Sequence, residues 1–182
     1  VTKLTASVGT DSVYVYSNDK TGAVFSYTDI TTTGSKSYGL YTAGEAVNYG
    51  TLTLNSGNGN VGIYSTTTSP TGKGSQNYGI INVGKTDTVA KEFGIGMATG
   101  YYDETTKAIS NEGLIENYGT INVTEKNSIG MYAVGSNAKA INHKNAIIDI
   151  SGGSATGMYL DHGAEGINYG TIKSSGSARG IK

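Results

Sequence analysis

Hydrophobic and polar residues alternate in short stretches along most of this chain, and the stretches resemble one another. Leu52 and Leu54 alternate with threonine, and Ile121 and Val123 alternate with polar residues. A period of two residues is typical of short β-strands that bury one face. No segment carries the roughly 3.6-residue hydrophobic period of a helix over a dozen positions, so the sequence predicts an all-β fold.

Three phrases recur in a fixed order. The first ends in an aliphatic residue and asparagine, the second is Asn-Tyr-Gly followed by alternating residues, and the third is Gly-Ile-Tyr or Gly-Met-Tyr. A unit of about two dozen residues with three short strands predicts a right-handed parallel β-helix, in which each phrase stacks on its copy in the preceding coil. The glycines of the third phrase are spaced by 23, 34, 34, 27 and 23 residues, at Gly39, Gly62, Gly96, Gly130, Gly157 and Gly180.

Stacked coils turn every strand position into a column of like residues. The predicted inward columns are Leu52/Ile81/Ile121/Ile148/Ile172, Leu54/Val83/Val123/Ile150 and Leu40/Ile63/Met97/Met131/Met158/Ile181. Two columns of tyrosine are expected to cover their neighbours while keeping a polar tip in water: Tyr49/Tyr78/Tyr118/Tyr169 and Tyr41/Tyr64/Tyr132/Tyr159.

The asparagine and glycine of the second phrase are expected at the corners between strands. Asparagine tolerates the left-handed backbone conformation and bonds its own backbone. Glycine permits a positive φ or the close approach of another backbone. The residues in question are Asn48, Asn77, Asn117 and Asn168, with Gly50, Gly79, Gly119 and Gly170.

The repeats predict two regions. Residues 1–34 are less regular and are expected to form one or two irregular coils or a cap, whereas residues 35–182 carry the β-helix repeats. Insertions that lengthen the basic unit fall near 65–76, 84–92 and 99–113.

Loops on a rigid scaffold are where binding residues concentrate, which makes the insertions the candidate binding regions. Aromatic faces and carboxylates meet in the third insertion, in a combination that can hold a sugar or a protein side chain. The candidate ligand-binding residues are Tyr101, Tyr102, Asp103 and Glu104.

Charge and composition remove several classes of partner. The net charge is -1 and only 15% of the residues are charged, so we expect no nucleic-acid partner. No stretch approaches about 20 apolar residues, so we expect no membrane insertion by this segment. With 28 glycines, 14 tyrosines and one proline, the composition fits many short strands joined by tight turns.

Other motifs favour no cofactor or metal. Gly57 and Gly62 bound a G-x-G-x-x-G sequence, but a strand pattern follows it where a dinucleotide site needs a helix. His143 and His162 are the only histidines and there is no cysteine, too few ligands for a zinc site. We therefore expect neither group.

The carboxylates also argue against an enzyme. β-Helical polysaccharide lyases and hydrolases need carboxylates grouped on neighbouring coils. The 14 acidic residues form no column in the repeat, and Asp103, Glu104, Glu112 and Glu116 come nearest. We predict no catalytic residues.

The phrases "NYGTINV…SIGMYA" and "GINYGTI" resemble the repeats of large autotransporter adhesins from fusobacteria and their relatives. The resemblance covers roughly Ser35 to Lys182. It implies an extracellular passenger segment on the bacterial cell surface, anchored in the outer membrane through a segment outside this sequence. It also implies adhesion to other bacteria or to host cells, and it identifies no binding residue because the matching phrases are scaffold phrases.

Three hypotheses follow for function. The preferred one is an adhesin fragment that binds a host or bacterial surface protein or glycan through its inserted loops. The alternatives are a stalk that only spaces a distal tip from the cell, and a polysaccharide lyase or hydrolase. A monomer is expected, and exposed coil ends would permit end-to-end association.

Overall fold

Three parallel β-sheets run along the molecule in a computed structural model that describes residues 4–68 and 71–182. The chain visits the sheets in turn, here called sheets I, II and III, and makes about seven turns of about 26 residues. Its described residues contain no helix. The predicted all-β parallel β-helix is confirmed, and its right-handed winding remains the expectation of the crossover rule.

Each sheet collects one strand from successive coils. Sheet I contains β1 (Thr5–Val8), β4 (Asp29–Thr32), β7 (Thr51–Thr53), β10 (Ile80–Asn82), β15 (Thr120–Val123), β18 (Ile147–Ile150) and β21 (Thr171–Ser174). Sheet II contains β2 (Val13–Ser17), β5 (Tyr38–Thr42), β8 (Val61–Ser65), β11 (Ile95–Thr99), β16 (Ile129–Val134), β19 (Thr156–Asp161) and β22 (Arg179–Ile181). Sheet III contains β3 (Ala23–Ser26), β6 (Glu45–Asn48), β9 (Ser75–Asn77), β14 (Leu114–Asn117), β17 (Lys139–Asn142) and β20 (Glu165–Asn168). A separate antiparallel hairpin is formed by β12 (Tyr101–Tyr102) and β13 (Ile109–Ser110).

Two predicted regions include residues that the structure does not describe. Residues 1–3 of the N-terminal segment and 69–70 of the first insertion lie outside the described residues. The rest of the segment expected to be an irregular coil or cap forms β1–β4, which pair within the same three sheets.

The register of sheet I stacks like residues on one another. Leu52 pairs with Ile81, Ile81 with Ile121, Ile121 with Ile148, and Ile148 with Ile172. All except Ile172 are fully buried, and each such side chain contributes about 1.5–3 kcal/mol by leaving water. This predicted column is confirmed.

The other two inward columns are confirmed in the same way. One lies two residues further along the chain than the first column, at or just after the ends of the sheet I strands. All four of its members are buried: Leu54, Val83, Val123 and Ile150. The other runs through sheet II in the predicted register and is buried except for Ile181, which lies in the last strand and is 54% exposed: Leu40, Ile63, Met97, Met131, Met158 and Ile181. The columns of sheets I and II meet in one continuous core, which also includes Ile115 and Ala140 of sheet III.

A buried ladder of asparagines ends the strands of sheet III. Each side-chain amide nitrogen donates to the side-chain oxygen of the next asparagine, at 2.8–2.9 Å, in the order Asn48, Asn77, Asn117, Asn142 and Asn168. The first four are fully buried. A buried amide needs partners for its donors and acceptors, and the stacked amides supply them to each other.

The reason expected for asparagine was partly wrong. Asn48 does bond its own backbone, since its Oδ1 accepts the N–H of Gly50 at 3.1 Å. None of the ladder asparagines has a positive φ, however, so the left-handed conformation is not what selects them. For glycine the close approach is the constraint: a Cβ on Gly79 would overlap the carbonyl oxygen of Gly50 in the coil before.

The asparagine ladder generates a stability prediction. Replacing Asn117 by alanine leaves the Asn77 amide nitrogen and the Asn142 amide oxygen without their ladder partner. Because unpaired buried polar groups are costly, we expect the free energy of unfolding to fall by about 2–3 kcal/mol. Urea denaturation measures this.

Asn122→Ala is the matched control. Asn122 also donates to a stacked asparagine, Asn82, at 2.9 Å, but it lies on the half-buried outer face of sheet I. Water can replace that partner, so we expect a loss below about 0.5 kcal/mol. Equal losses in the two variants would contradict the role given to the buried ladder.

Candidate ligand-binding cleft

The tyrosine column on the outer face of sheet II is interrupted once. The rings on either side of the interruption contact each other at centroid distances of 5.5 Å (Tyr16–Tyr41), 5.0 Å (Tyr41–Tyr64) and 5.5 Å (Tyr132–Tyr159). In β11 the equivalent residue is Ala98, which pairs with Tyr64 in β8 and with Tyr132 in β16. The predicted column is therefore present, with one ring missing from its middle.

Two of the predicted insertions flank the strand that lacks the tyrosine. The 84–92 insertion precedes β11, and in it Asp87 and Glu92 exchange backbone hydrogen bonds of 2.9 Å. The 99–113 insertion follows β11 and contains the β12–β13 hairpin. Both ends of one strand thus carry a hairpin that rises beside the outer face of sheet II.

The hairpins and the interrupted column enclose a cleft of about 640 Å3, here called the sheet II cleft. Phe93 directly follows the 84–92 insertion and Tyr101 lies in the 99–113 insertion, and the two residues are 38% and 54% exposed. The aromatic residues that line it are Tyr38, Tyr41, Tyr64, Phe93, Tyr101 and Tyr132. An open cleft with several exposed aromatic surfaces is the kind of feature that binds small ligands.

Tyr64 is held in place at the floor of the cleft. Its hydroxyl donates to the carbonyl oxygen of Gly100 at 3.3 Å and accepts from the Asn111 side-chain nitrogen at 3.4 Å. Its ring also contacts that of Tyr38 edge-on, with centroids 5.9 Å apart. These contacts fix the ring before any ligand arrives, which lowers the entropy lost on binding.

The charges around the cleft are paired. Lys36 Nζ lies 2.9 Å from a carboxylate oxygen of Glu92, and Lys91 Nζ lies 2.9 Å from one of Glu104. The second pair joins the two insertions. Both lysines are largely exposed, so solvent screens the pairs and they add little to stability, but together they leave the rim without net charge.

Burial raises the pKa values of four of the five tyrosines that line the cleft. It raises the pKa of Tyr64 and that of Tyr132 to about 12, with the charge of Asp161 adding to the effect on Tyr132. Burial also raises the pKa values of Tyr38 and Tyr41. The hydroxyls therefore remain hydrogen-bond donors throughout the physiological pH range.

The structure separates the four residues predicted from sequence to bind a ligand. Tyr101 lines the cleft. Tyr102 instead stacks on His162, with ring centroids 3.9 Å apart. Successive residues of a strand point to opposite sides, so neighbouring tyrosines in β12 face different surroundings.

The two carboxylates hold the hairpins together. Asp103 accepts the backbone N–H groups of Thr105 and Thr106 at 2.8 and 3.1 Å, and these bonds lower its pKa. The hydrogen bond from Lys91 lowers the pKa of Glu104. Neither carboxylate lines the cleft, and both remain ionised near neutral pH.

A second aromatic surface covers the corner between sheets III and I. Its rings, here called the corner stack, are Tyr27, Tyr49, Tyr78, Tyr118 and His143, with centroids 4.7, 5.4, 4.6 and 3.9 Å apart and planes within 19°. Three members of the predicted Tyr49/Tyr78/Tyr118/Tyr169 column are stacked as expected. His143 takes the position after Tyr118, so Tyr169 does not follow it directly. Because the faces cover one another, the corner stack offers a ligand mainly ring edges.

The other sequence motifs belong to the scaffold. Gly62 lies inside β8, so a strand follows the G-x-G-x-x-G sequence. Within residues 4–68 and 71–182, no group of three or more histidines and acidic residues is placed to hold a metal ion. None of the described residues forms a helix long and apolar enough to cross a membrane.

Comparison with known families extends this description. A family model described as the BigA third pectate lyase-like domain matches residues 2–143, well over half of the chain. The chain belongs to this domain family. The part that matches the BigA third pectate lyase-like domain includes both hairpins and every aromatic residue of the sheet II cleft. No curated protein and no solved structure matches the chain.

The sequence did not predict a role for three residues that line the cleft: Ala98, Phe93 and Asn111. The first left a signal, since Gly96-Met97-Ala98 is a copy of the third phrase without its tyrosine. Phe93 and Asn111 lie in or beside insertions, where no repeat fixes the direction of a side chain. Only the fold brings them together.

The raised tyrosine pKa values give a pH prediction. Tyr64, Tyr118 and Tyr132 have pKa values of about 12 in the folded protein, against about 10 in an unfolded chain. The stability that they contribute is therefore complete below about pH 10 and is lost as pH rises towards about 12. Ultraviolet titration of tyrosinate should show a late phase near pH 12 in native protein that is absent in denaturant. Ionisation of all 14 tyrosines in one native phase near pH 10 would contradict the burial described here.

Proposed function

We propose that this chain is part of the extracellular passenger of a bacterial surface adhesin of the autotransporter type, related to the fusobacterial adhesins. It attaches to host cells or to other bacteria through the sheet II cleft and the hairpins beside it. One observation carries the proposal: two hairpins rise from both ends of the one sheet II strand whose tyrosine is replaced by alanine.

The position of the cleft supports binding rather than spacing. A pure stalk needs only the repeat, and a complete tyrosine column would serve it. Here the departures from the repeat converge on β11, where they create about 640 Å3 of open space lined by aromatic rings. Binding residues commonly lie on loops that a rigid scaffold holds in place.

We infer that the cleft is not catalytic, and that "pectate lyase-like" describes the fold of the family. Glycoside hydrolysis needs one carboxyl group that is protonated near neutral pH and a second that is not. Glu92 and Glu104 are paired with lysines, and Asp103 caps a turn. Glu116, the buried carboxylate, lies in the corner stack region and is held by Gln76, Tyr118 and His143.

Trimming the second hairpin tests the proposal. The backbone N–H of Gly100 donates to the Asn111 carbonyl oxygen at 2.9 Å, so these residues already lie where a two-residue turn can join them. Replacing residues 101–110 by Asn-Gly should lower attachment of the immobilised protein to epithelial cells or bacteria by at least about tenfold. The reason is that Tyr101 and the second wall of the cleft are removed while the coils stay intact.

A turn far from the cleft supplies the control. A turn between β21 and β22 is closed by the hydrogen bond between Ser175 and Ala178, and it lines no part of the cleft. Replacing Ser177 by glycine, next to Gly176, changes this turn. Ser177→Gly should attach as the parent does. Full attachment by the trimmed protein, or none by the folded parent, would favour the stalk and overturn the proposal.

A further inference from the structure

We propose that the sheet II cleft binds an uncharged saccharide, one pyranose ring of which lies against the exposed aromatic faces of Tyr101 and Phe93. This inference rests on the proposed function and names the class of ligand that the cleft takes.

The arrangement of the rings distinguishes the cleft from the corner stack. Phe93 directly follows the first hairpin and Tyr101 lies in the second, and they are 38% and 54% exposed, so ring surface is left open to a ligand. A pyranose ring has an apolar face of C–H groups, which fits the electron-rich face of an aromatic ring. The volume of about 640 Å3 lies within the range of small-ligand sites, roughly 300–1,000 Å3.

The hydrogen-bonding groups of the cleft suit a polyol. The hydroxyls of Tyr38, Tyr41, Tyr101 and Tyr132 form no hydrogen bond with any other residue that the structure describes. A phenolic hydroxyl both donates and accepts, as a sugar hydroxyl does. The cleft therefore presents several tyrosine hydroxyls that can each donate and accept a hydrogen bond, beside its apolar surfaces.

The charge balance favours a neutral ligand. Each lysine on the rim already faces a carboxylate at 2.9 Å, Lys36 with Glu92 and Lys91 with Glu104. An acidic sugar would have to displace one of these carboxylates and would be repelled by it. A neutral sugar leaves both pairs undisturbed.

Sheet II cannot take up an added peptide strand at the floor of the cleft. β11 is paired with β8 on one side and β16 on the other, so it offers no free edge. Recognition by strand addition needs such an edge. The cleft instead recognises its ligand through side chains.

The test is an array of neutral, sialylated and uronic-acid oligosaccharides probed with the whole chain. We expect binding to neutral glycans that does not change between about 0.05 and 0.5 M salt, because no charge pair is formed. Tyr101→Ala should weaken it by about tenfold or more, through the loss of one stacking surface. Ala98→Tyr, which restores the missing ring and fills the cleft, should do the same.

Tyr169→Ala is the matched control. Tyr169 is 65% exposed, comparable to Tyr101, but lies beside Asn168 at the corner that follows sheet III. The affinity of Tyr169→Ala for neutral glycans should stay within about twofold of that of the parent. The thermal unfolding midpoint of each variant shows whether a loss of binding comes from a loss of folding. Tyr101→Ala changes an exposed side chain, so the test does not depend on Ala98→Tyr being folded.

The outcomes separate this inference from the proposed function. Binding only to acidic glycans, or equal neutral-glycan binding by Tyr101→Ala and the parent, overturns the saccharide assignment. Cell attachment that depends on the hairpin without any neutral-glycan binding also overturns it, and indicates a protein ligand while the adhesin proposal stands. Neutral-glycan binding lost in Tyr101→Ala, without cell attachment, supports the saccharide and refutes adhesion.

Discussion

The hydrogen-bonded register between successive coils is the constraint on which the rest of this molecule depends. It places Leu52 on Ile81 and Ile81 on Ile121, and the same register aligns the amides of Asn77 and Asn117. A slip of one residue in any strand would turn its inward side chains to solvent. Apolar columns and the buried asparagine ladder therefore specify the same alignment, the first through burial and the second through directional hydrogen bonds.

The cleft is a consequence of that alignment. Because the outer face of sheet II is also in register, a single alanine at position 98 leaves a space bounded by Tyr64 and Tyr132. Two insertions leave the repeat at the two ends of this strand, so Phe93 and Tyr101 reach the space, while Tyr102 stacks on His162 just after β19. The repeated coils provide a rigid scaffold and four of the cleft's tyrosines, and the segments inserted beside β11 add Phe93 and Tyr101.

Much of the fold could be predicted from the sequence because the repeat reports it directly: Leu52, Met131 and their equivalents lie in the predicted columns. The asparagine ladder could not, since the pattern shows that Asn117 recurs but not that its amide points inward. The insertion predicted to bind a ligand does border the cleft, yet only Tyr101 of its four candidate residues lines it. Alternation along β12 directs Tyr102 elsewhere, and Phe93 reaches the cleft from the other end of β11, where no repeat fixes the direction of its side chain.

Cysteine pairs test the register at the cleft most directly, because the chain has no cysteine of its own. Adjacent coils are about 4.8 Å apart and alternate coils about 9.6 Å, whereas a disulfide requires Cα atoms within about 7 Å. The account predicts that Tyr64→Cys with Ala98→Cys, and Ala98→Cys with Tyr132→Cys, oxidise readily to intramolecular disulfides. It predicts that Tyr64→Cys with Tyr132→Cys does not. Efficient oxidation of that third pair, or failure of the first two, would contradict the stacking from which the cleft and its proposed ligand are derived.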